Sequence, residues 1–196
     1  MAGLIRDIFT TNLLGASIFH DIFVVVLKIP NVFRKLFAEG AFSQAFIPIY
    51  SEYIGSKDDK GSQDFLNALF GILLSALFIF TALALLFAPM FILIFAPGFY
   101  FDIQKQDLAV SLLRIMFPYL ALISLVAFAA GIQNSHNKFS IPAITPLIFN
   151  LSLIGSAWLV APKIDIPVMA LAWGVLLAGF LQLLFQIAPL ATIKKI

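Results

Sequence analysis

Long apolar stretches separated by short polar ones set the pattern of this chain. Residues 65–95, 108–133, 141–161 and 166–190 are each almost continuously apolar, and each is 20 residues or longer. A bilayer core about 30 Å thick needs about 20 apolar residues in a helix rising about 1.5 Å per residue. The pattern therefore predicts membrane-crossing helices with polar connections at 56–63, 100–107, 134–140 and 162–165. Ahead of them, residues 1–16 read as the second half of a helix, because about a dozen residues before Gly15 are too few to span. A turn over 17–20 then leads to Asp21 as a helix N-cap. The next helix runs through Tyr53 and carries Pro30 and Pro48, each of which removes a backbone donor and bends the helix. Breaks are also expected at Pro89 and at the stop Ala96-Pro97-Gly98. The fold class is an all-α, polytopic transmembrane helical bundle of about six spans, the first truncated.

Composition agrees with this reading and narrows the function classes. Hydrophobic residues make up 62% and charged residues 11% of the 196, against about 25% charged in soluble domains. The formal charge of +2 gives no electrostatic footprint for nucleic acid. The absence of cysteine removes disulfides, thiolate metal sites and a cysteine nucleophile. No cleavable signal peptide is visible, since Arg6 and Asp7 interrupt the first apolar run. Metal-protease, nucleophile-elbow and phosphate-loop motifs are missing, so the chain reads as a transporter or scaffold, not an enzyme, with no cofactor. Loop lysines fix an expected orientation: Lys57, Lys60, Lys138, Lys194 and Lys195 fall on one side, against Lys105 and Lys163 on the other. By the positive-inside rule the first side, with the C-terminus, is cytoplasmic.

Against this background, charges inside apolar segments are the candidate chemistry, because each costs several kcal/mol unless it faces water or a partner. Asp21, Lys28 and Lys35 recur every seven residues, which on an unbroken helix places them on one face, with Asn31 and Glu39 beside them and Arg34 adjacent. Such a stripe turns toward a hydrated cleft, or else its lysines snorkel to the interface. Arg6-Asp7 lies within the first helix. Neighbouring residues point about 100° apart, so both face a wide cavity or one pairs sideways with another helix. A guanidinium there is a natural phosphate ligand. Arg114, near a span start, reads as an interfacial anchor. His20 and His136 sit at span ends and read as loop residues and not as proton carriers, and Trp158 and Trp173 have interfacial or packing roles. Asn150, Gln182 and Gln186 are candidate interhelical hydrogen-bonding residues.

The stretch from Asn31 to Pro48, NVFRKLFAEGAFSQAFIP, resembles the PNLLRRLFAEGAFSQAFVP signature of the MurJ (MviN) lipid II flippases. Supporting similarities are GLIRD at 3–7, the segment 21–28, APGF at 96–99, FPY at 117–119 and NKFSIPA at 137–143. Together they cover essentially the whole chain. The resemblance implies a member of the multidrug/oligosaccharidyl-lipid/polysaccharide exporter superfamily in the bacterial inner membrane. It would move lipid II, an undecaprenyl-pyrophosphate-linked disaccharide-pentapeptide, from the cytoplasmic to the periplasmic leaflet by alternating access.

Family arginines that bind the pyrophosphate headgroup map onto Arg6 and Arg34, and neighbouring acidic and polar positions map onto Asp7, Asp21, Asn31 and Glu39. Residues 1–196 correspond to the N-terminal lobe alone. An arginine that the family carries earlier falls before Met1, and the second lobe has no counterpart here. His20 replaces a small hydroxylated residue, and Lys35 replaces an arginine. The resemblance thus implies either a separate chain supplying the C-terminal lobe or a fragment inactive alone. Export of another polyprenyl-linked glycan and a non-transporting membrane scaffold module are the alternatives.

Overall fold

The computed structural model describes residues 2–15, 17–35, 41–56 and 58–193. Ten α-helices account for most of them: α1 (Ala2–Leu14), α2 (Ile18–Arg34), α3 (Ala41–Gly55), α4 (Asp59–Leu86), α5 (Ala88–Phe95), α6 (Pro97–Tyr100), α7 (Ile103–Met116), α8 (Tyr119–Ser135), α9 (Ser140–Gly155) and α10 (Pro167–Ile193). Among the described residues, four helical runs are long and apolar enough to cross a membrane: Asp59–Leu86, Ile103–Ser135, Ser140–Lys163 and Pro167–Leu190. The chain is a multi-pass membrane protein, and its all-helical bundle is the expected fold class.

Local chemistry explains most of the boundaries. Helix α1 stops at Gly15, whose φ of +60° suits glycine, and the Gly15 N–H closes the last turn on Thr11 O at 2.7 Å. The start of α2 differs from the sequence expectation. Ser17, with extended φ −115° and ψ 160°, takes the cap position, and Asp21 lies within the first helical turn. A carboxylate is favourable there because it faces the positive end of the helix dipole, so Asp21 suits the turn without being the cap.

Asp58 caps α4 by accepting from the Gly61 N–H at 2.9 Å. That helix ends at Phe87, just before Pro89 in the first turn of α5. Pro118, which cannot donate to the preceding turn, separates α7 from α8 within one run. After α9 the chain passes through a π-helical turn, Ser156–Val160, and a 3₁₀ turn, Ala161–Lys163.

The interior gathers around α7, α8 and α10. Leu112, Leu113, Met116, Phe117, Leu120 and Leu171 are fully buried. Helix α2 adds Ile22, Phe23, Val26, Ile29 and Pro30 at helical spacing, all buried, which fixes the face it turns to the core. Phe33 on α2 enters a ring cluster with Phe80, Phe91, Phe95 and Phe117 at centroid separations of 4.9–6.2 Å.

Small residues let helices approach. A Cβ at Gly179 of α10 would stand 2.9 Å from atoms of both Tyr119 and Leu122 on α8, and one at Gly174 would meet Ser156 Oγ at 2.4 Å. Large apolar side chains such as Ile72, Phe78 and Leu86 of α4 instead face outward. That is the surface a bilayer demands.

Candidate functional site

A cleft of about 650 Å³ opens between α1, α2, α8, α9 and α10. Its charged lining is one-sided: Arg6, Arg34 and Lys35 border it, and no aspartate or glutamate does among the described lining residues. Arg6 projects from α1. Its Nε and Nη2 donate to Asp7 Oδ1 at 2.9 and 2.6 Å, and its guanidinium lies 5.9 Å from the centroid of the Phe149 ring on α9. The ring face attracts the cation and steers it toward the cleft.

The expectation for these adjacent residues was that both face a wide cavity or that one pairs sideways with another helix. Instead the arginine stem folds back onto its neighbour's carboxylate, which its length allows. Arg34 is half-buried, and its Nε donates to Asn31 Oδ1 one turn earlier at 3.3 Å.

The opposite wall is polar without charge. Thr145 and Asn150 of α9 face Gln182 and Gln186 of α10 along the cleft. Behind them a hydrogen-bonded chain joins three helices. Gln133 Nε2 of α8 donates to Gln186 Oε1, Gln186 Nε2 donates to Thr145 Oγ1 at 3.0 Å, and Gln182 Nε2 donates to Thr145 O at 2.9 Å.

The interhelical role expected of Gln182 and Gln186 is thus present. Asn150 behaves differently, because its Nδ2 donates to Pro146 O of its own helix at 2.8 Å. Pro146 carries no N–H, so the Pro142 carbonyl one turn earlier loses its helical donor; both prolines border the cleft.

Of the sequence candidates, the structure brings Arg6, Asn31 and Arg34 to this cleft. Asp7 stands beside it, bound to Arg6, and lines a second cleft of about 300 Å³ together with Arg6, Thr10, Thr11 and His20. Asp21 and Lys28 are exposed and line neither cleft, whereas Lys35 lines the larger one. The reason is geometric. The cleft meets α2 at Leu27, Asn31, Arg34 and Lys35; Asp21 lies about 21 Å of helical rise from Lys35, and Lys28, level with Leu27, is exposed. Glu39 lies outside the described residues.

Sequence reasoning missed Gln133, Tyr119 and Phe149, which support the site. Gln133 could have been found as an amide near the end of an apolar run, but it reads equally well as the first residue of a loop.

The model of the lipid II flippase MurJ family matches residues 10–195. The chain belongs to the MurJ family. It is 41% identical over 194 residues to a probable lipid II flippase MurJ of Buchnera aphidicola from Acyrthosiphon pisum, covering 99% of this chain and 38% of that one. It is 38% identical over 196 residues to the lipid II flippase MurJ of Burkholderia cenocepacia, covering 100% and 38%.

A solved structure, lipid II flippase MurJ in the inward closed conformation, superposes with a TM-score of 0.71 at 32% identity, covering 95% of this chain and 40% of the other. This MurJ-family chain therefore spans about two fifths of the length of those relatives, and it shares their transporter fold over that part.

Proposed function

We propose that this chain forms the N-terminal lobe of a lipid II flippase and that its cationic cleft takes the pyrophosphate of the lipid-linked precursor. The observation that carries this reading is the lining of the cleft, where Arg6, Arg34 and Lys35 are the charged residues and no aspartate or glutamate is among the described lining residues. Guanidinium forks offer paired donors to phosphate oxygens. The amide wall of Asn150, Gln182 and Gln186 suits the hydroxyls and amides of a sugar headgroup. The names of the relatives agree with this substrate.

In this reading the protein is a carrier and not an enzyme, it lies in the bacterial inner membrane with its C-terminus cytoplasmic, and Asp7 and Asn31, bonded to Arg6 and Arg34, tune the two arginines, with Glu39 a further candidate. A second lobe completes the two-sided cavity, whether on the same or a separate chain.

The test is binding of a soluble prenyl-diphosphate-linked sugar by the chain in lipid nanodiscs. Arg34→Ala is expected to weaken binding at least tenfold while leaving membrane insertion intact. Arg34→Lys is expected to recover little of the loss, because an ammonium lacks the paired fork. Wild-type affinity in Arg34→Ala would overturn the assignment.

A further inference from the structure

Arg6 stands between two clefts. It lines the larger one with Arg34 and the smaller one with Asp7 and His20. Both of its hydrogen bonds to Asp7 use Nε and Nη2, the edge of the guanidinium that grips two oxygens side by side. An anion entering the larger cleft competes with Asp7 for those same N–H groups. Once displaced, the Asp7 carboxylate is left in the smaller cleft, where His20 of α2 is the one ionisable lining residue besides Arg6 and Asp7 among the described residues. His20 Nδ1 is buried and has no hydrogen-bond partner, an arrangement that costs free energy until a partner arrives.

We propose that His20 and Asp7 form a proton-binding site that fills when an anion draws Arg6 away. The proton comes from solvent, and the resulting imidazolium and carboxylate replace the lost Arg6–Asp7 pair. This rests on the anion reading of the larger cleft.

The surrounding charges leave the pair to itself. From α1, Arg6 and Asp7 face the smaller cleft; from α2, Asp21 beside His20 is exposed and outside the lining; α9 contributes Leu153. Helices α8 and α10 carry no charged residue. Helix α7, packed along α2, carries Lys105, Asp107 and Arg114. None lines the cleft, Lys105 is paired with Asp102 at 2.8 Å, and Arg114 Nε donates to Leu85 O at 3.4 Å.

The sign follows from linkage. If anion binding takes up a proton, affinity falls as pH rises, by at most about tenfold per pH unit for one proton. Asp7 is largely exposed, which softens the coupling, so a loss of about three- to tenfold between about pH 6 and 8 is expected.

The experiment titrates the chain in nanodiscs with a prenyl diphosphate sugar diester, whose phosphates stay ionised across this range. Calorimetry in two buffers of different ionisation heat counts the protons. The protein has two histidines, so imidazole NMR, assigned with His136→Gln, follows His20 directly in the unmutated pair. Proton uptake, with the His20 resonance moving toward its protonated position on anion addition, supports the proposal. His20→Gln and Asp7→Asn are expected to bind the anion with a flat pH profile. Anion binding with no proton uptake and an unmoved His20 resonance overturns the coupling alone. No binding at any pH overturns the anion cleft and the coupling together.

Discussion

Gln133 and Gln186 show how much a buried amide depends on its partner. Both are fully buried and hydrogen-bonded to each other. Gln133→Leu would strand the Gln186 carbonyl oxygen and is expected to cost about 1–2 kcal/mol. The double variant Gln133→Leu, Gln186→Leu is expected to lose less than the sum of the two single changes, as measured by denaturant unfolding in detergent micelles.

His136 provides a second residue-scale test. Its Nε2 shares a hydrogen bond of 3.2 Å with Tyr50 Oη, tying the end of α8 to α3. Burial, with a smaller contribution from nearby Lys138, holds the imidazole below its ordinary value of 6.5. The neutral form is therefore the one that the fold prefers, and its stabilisation is present above about pH 6.5 and lost as pH falls below it. Thermal unfolding between pH 5 and 7.5 is expected to show this slope in the wild type and a shallower one in His136→Gln. At this scale the sequence shows which polar groups are conspicuous in apolar runs, such as Gln182 and Arg34. It does not show that Arg6 folds onto Asp7, because side-chain rotamers and three-dimensional neighbours decide that.

At the scale of elements, proline and glycine made most breaks legible. The ends of α4 near Pro89, of α5 at Ala96-Pro97 and of α7 at Pro118 all follow from a missing backbone donor. The start of α2 was misplaced because Asp21 and Ser17 are both good capping residues, and only backbone geometry selects Ser17. Nor does any residue at 156–160 announce a π-helical turn. Glycine packing separates close approach from open surface. Gly179→Ala forces a methyl against the Tyr119 ring and Leu122, and it is expected to cost about 1–3 kcal/mol. Gly71, where an added methyl would meet nothing within 4 Å, is the control. Gly71→Ala is expected to be neutral or to stabilise by up to about 1 kcal/mol through helix propensity. Unfolding in mild detergent compares the two.

Over the whole molecule, alternating apolar and polar stretches were enough to give a polytopic bundle, since in lipid a helix must satisfy its own backbone. The relation between the first three helices and the rest was not legible, because α1 has 13 residues and α2 has 17, and length alone says little about such segments. Tyr50, Asp59, Ile132 and Leu190 line one cleft, so the corresponding helix ends meet at one end of the bundle. With no native cysteine, Gln63→Cys and Lys138→Cys are expected to react with a membrane-impermeant maleimide from one face of a sealed vesicle, and Gln104→Cys from the other. Labelling of all three from one face would contradict the topology.

The Phe33 ring cluster carries a mechanical consequence for the site. Phe33 and Arg34 are consecutive on one rigid helix, so turning the guanidinium out of the cleft by rotating α2 also drags a benzene ring past four others. The interlocked rings therefore resist rotation of the helix about its axis and hold the guanidinium on the cleft side.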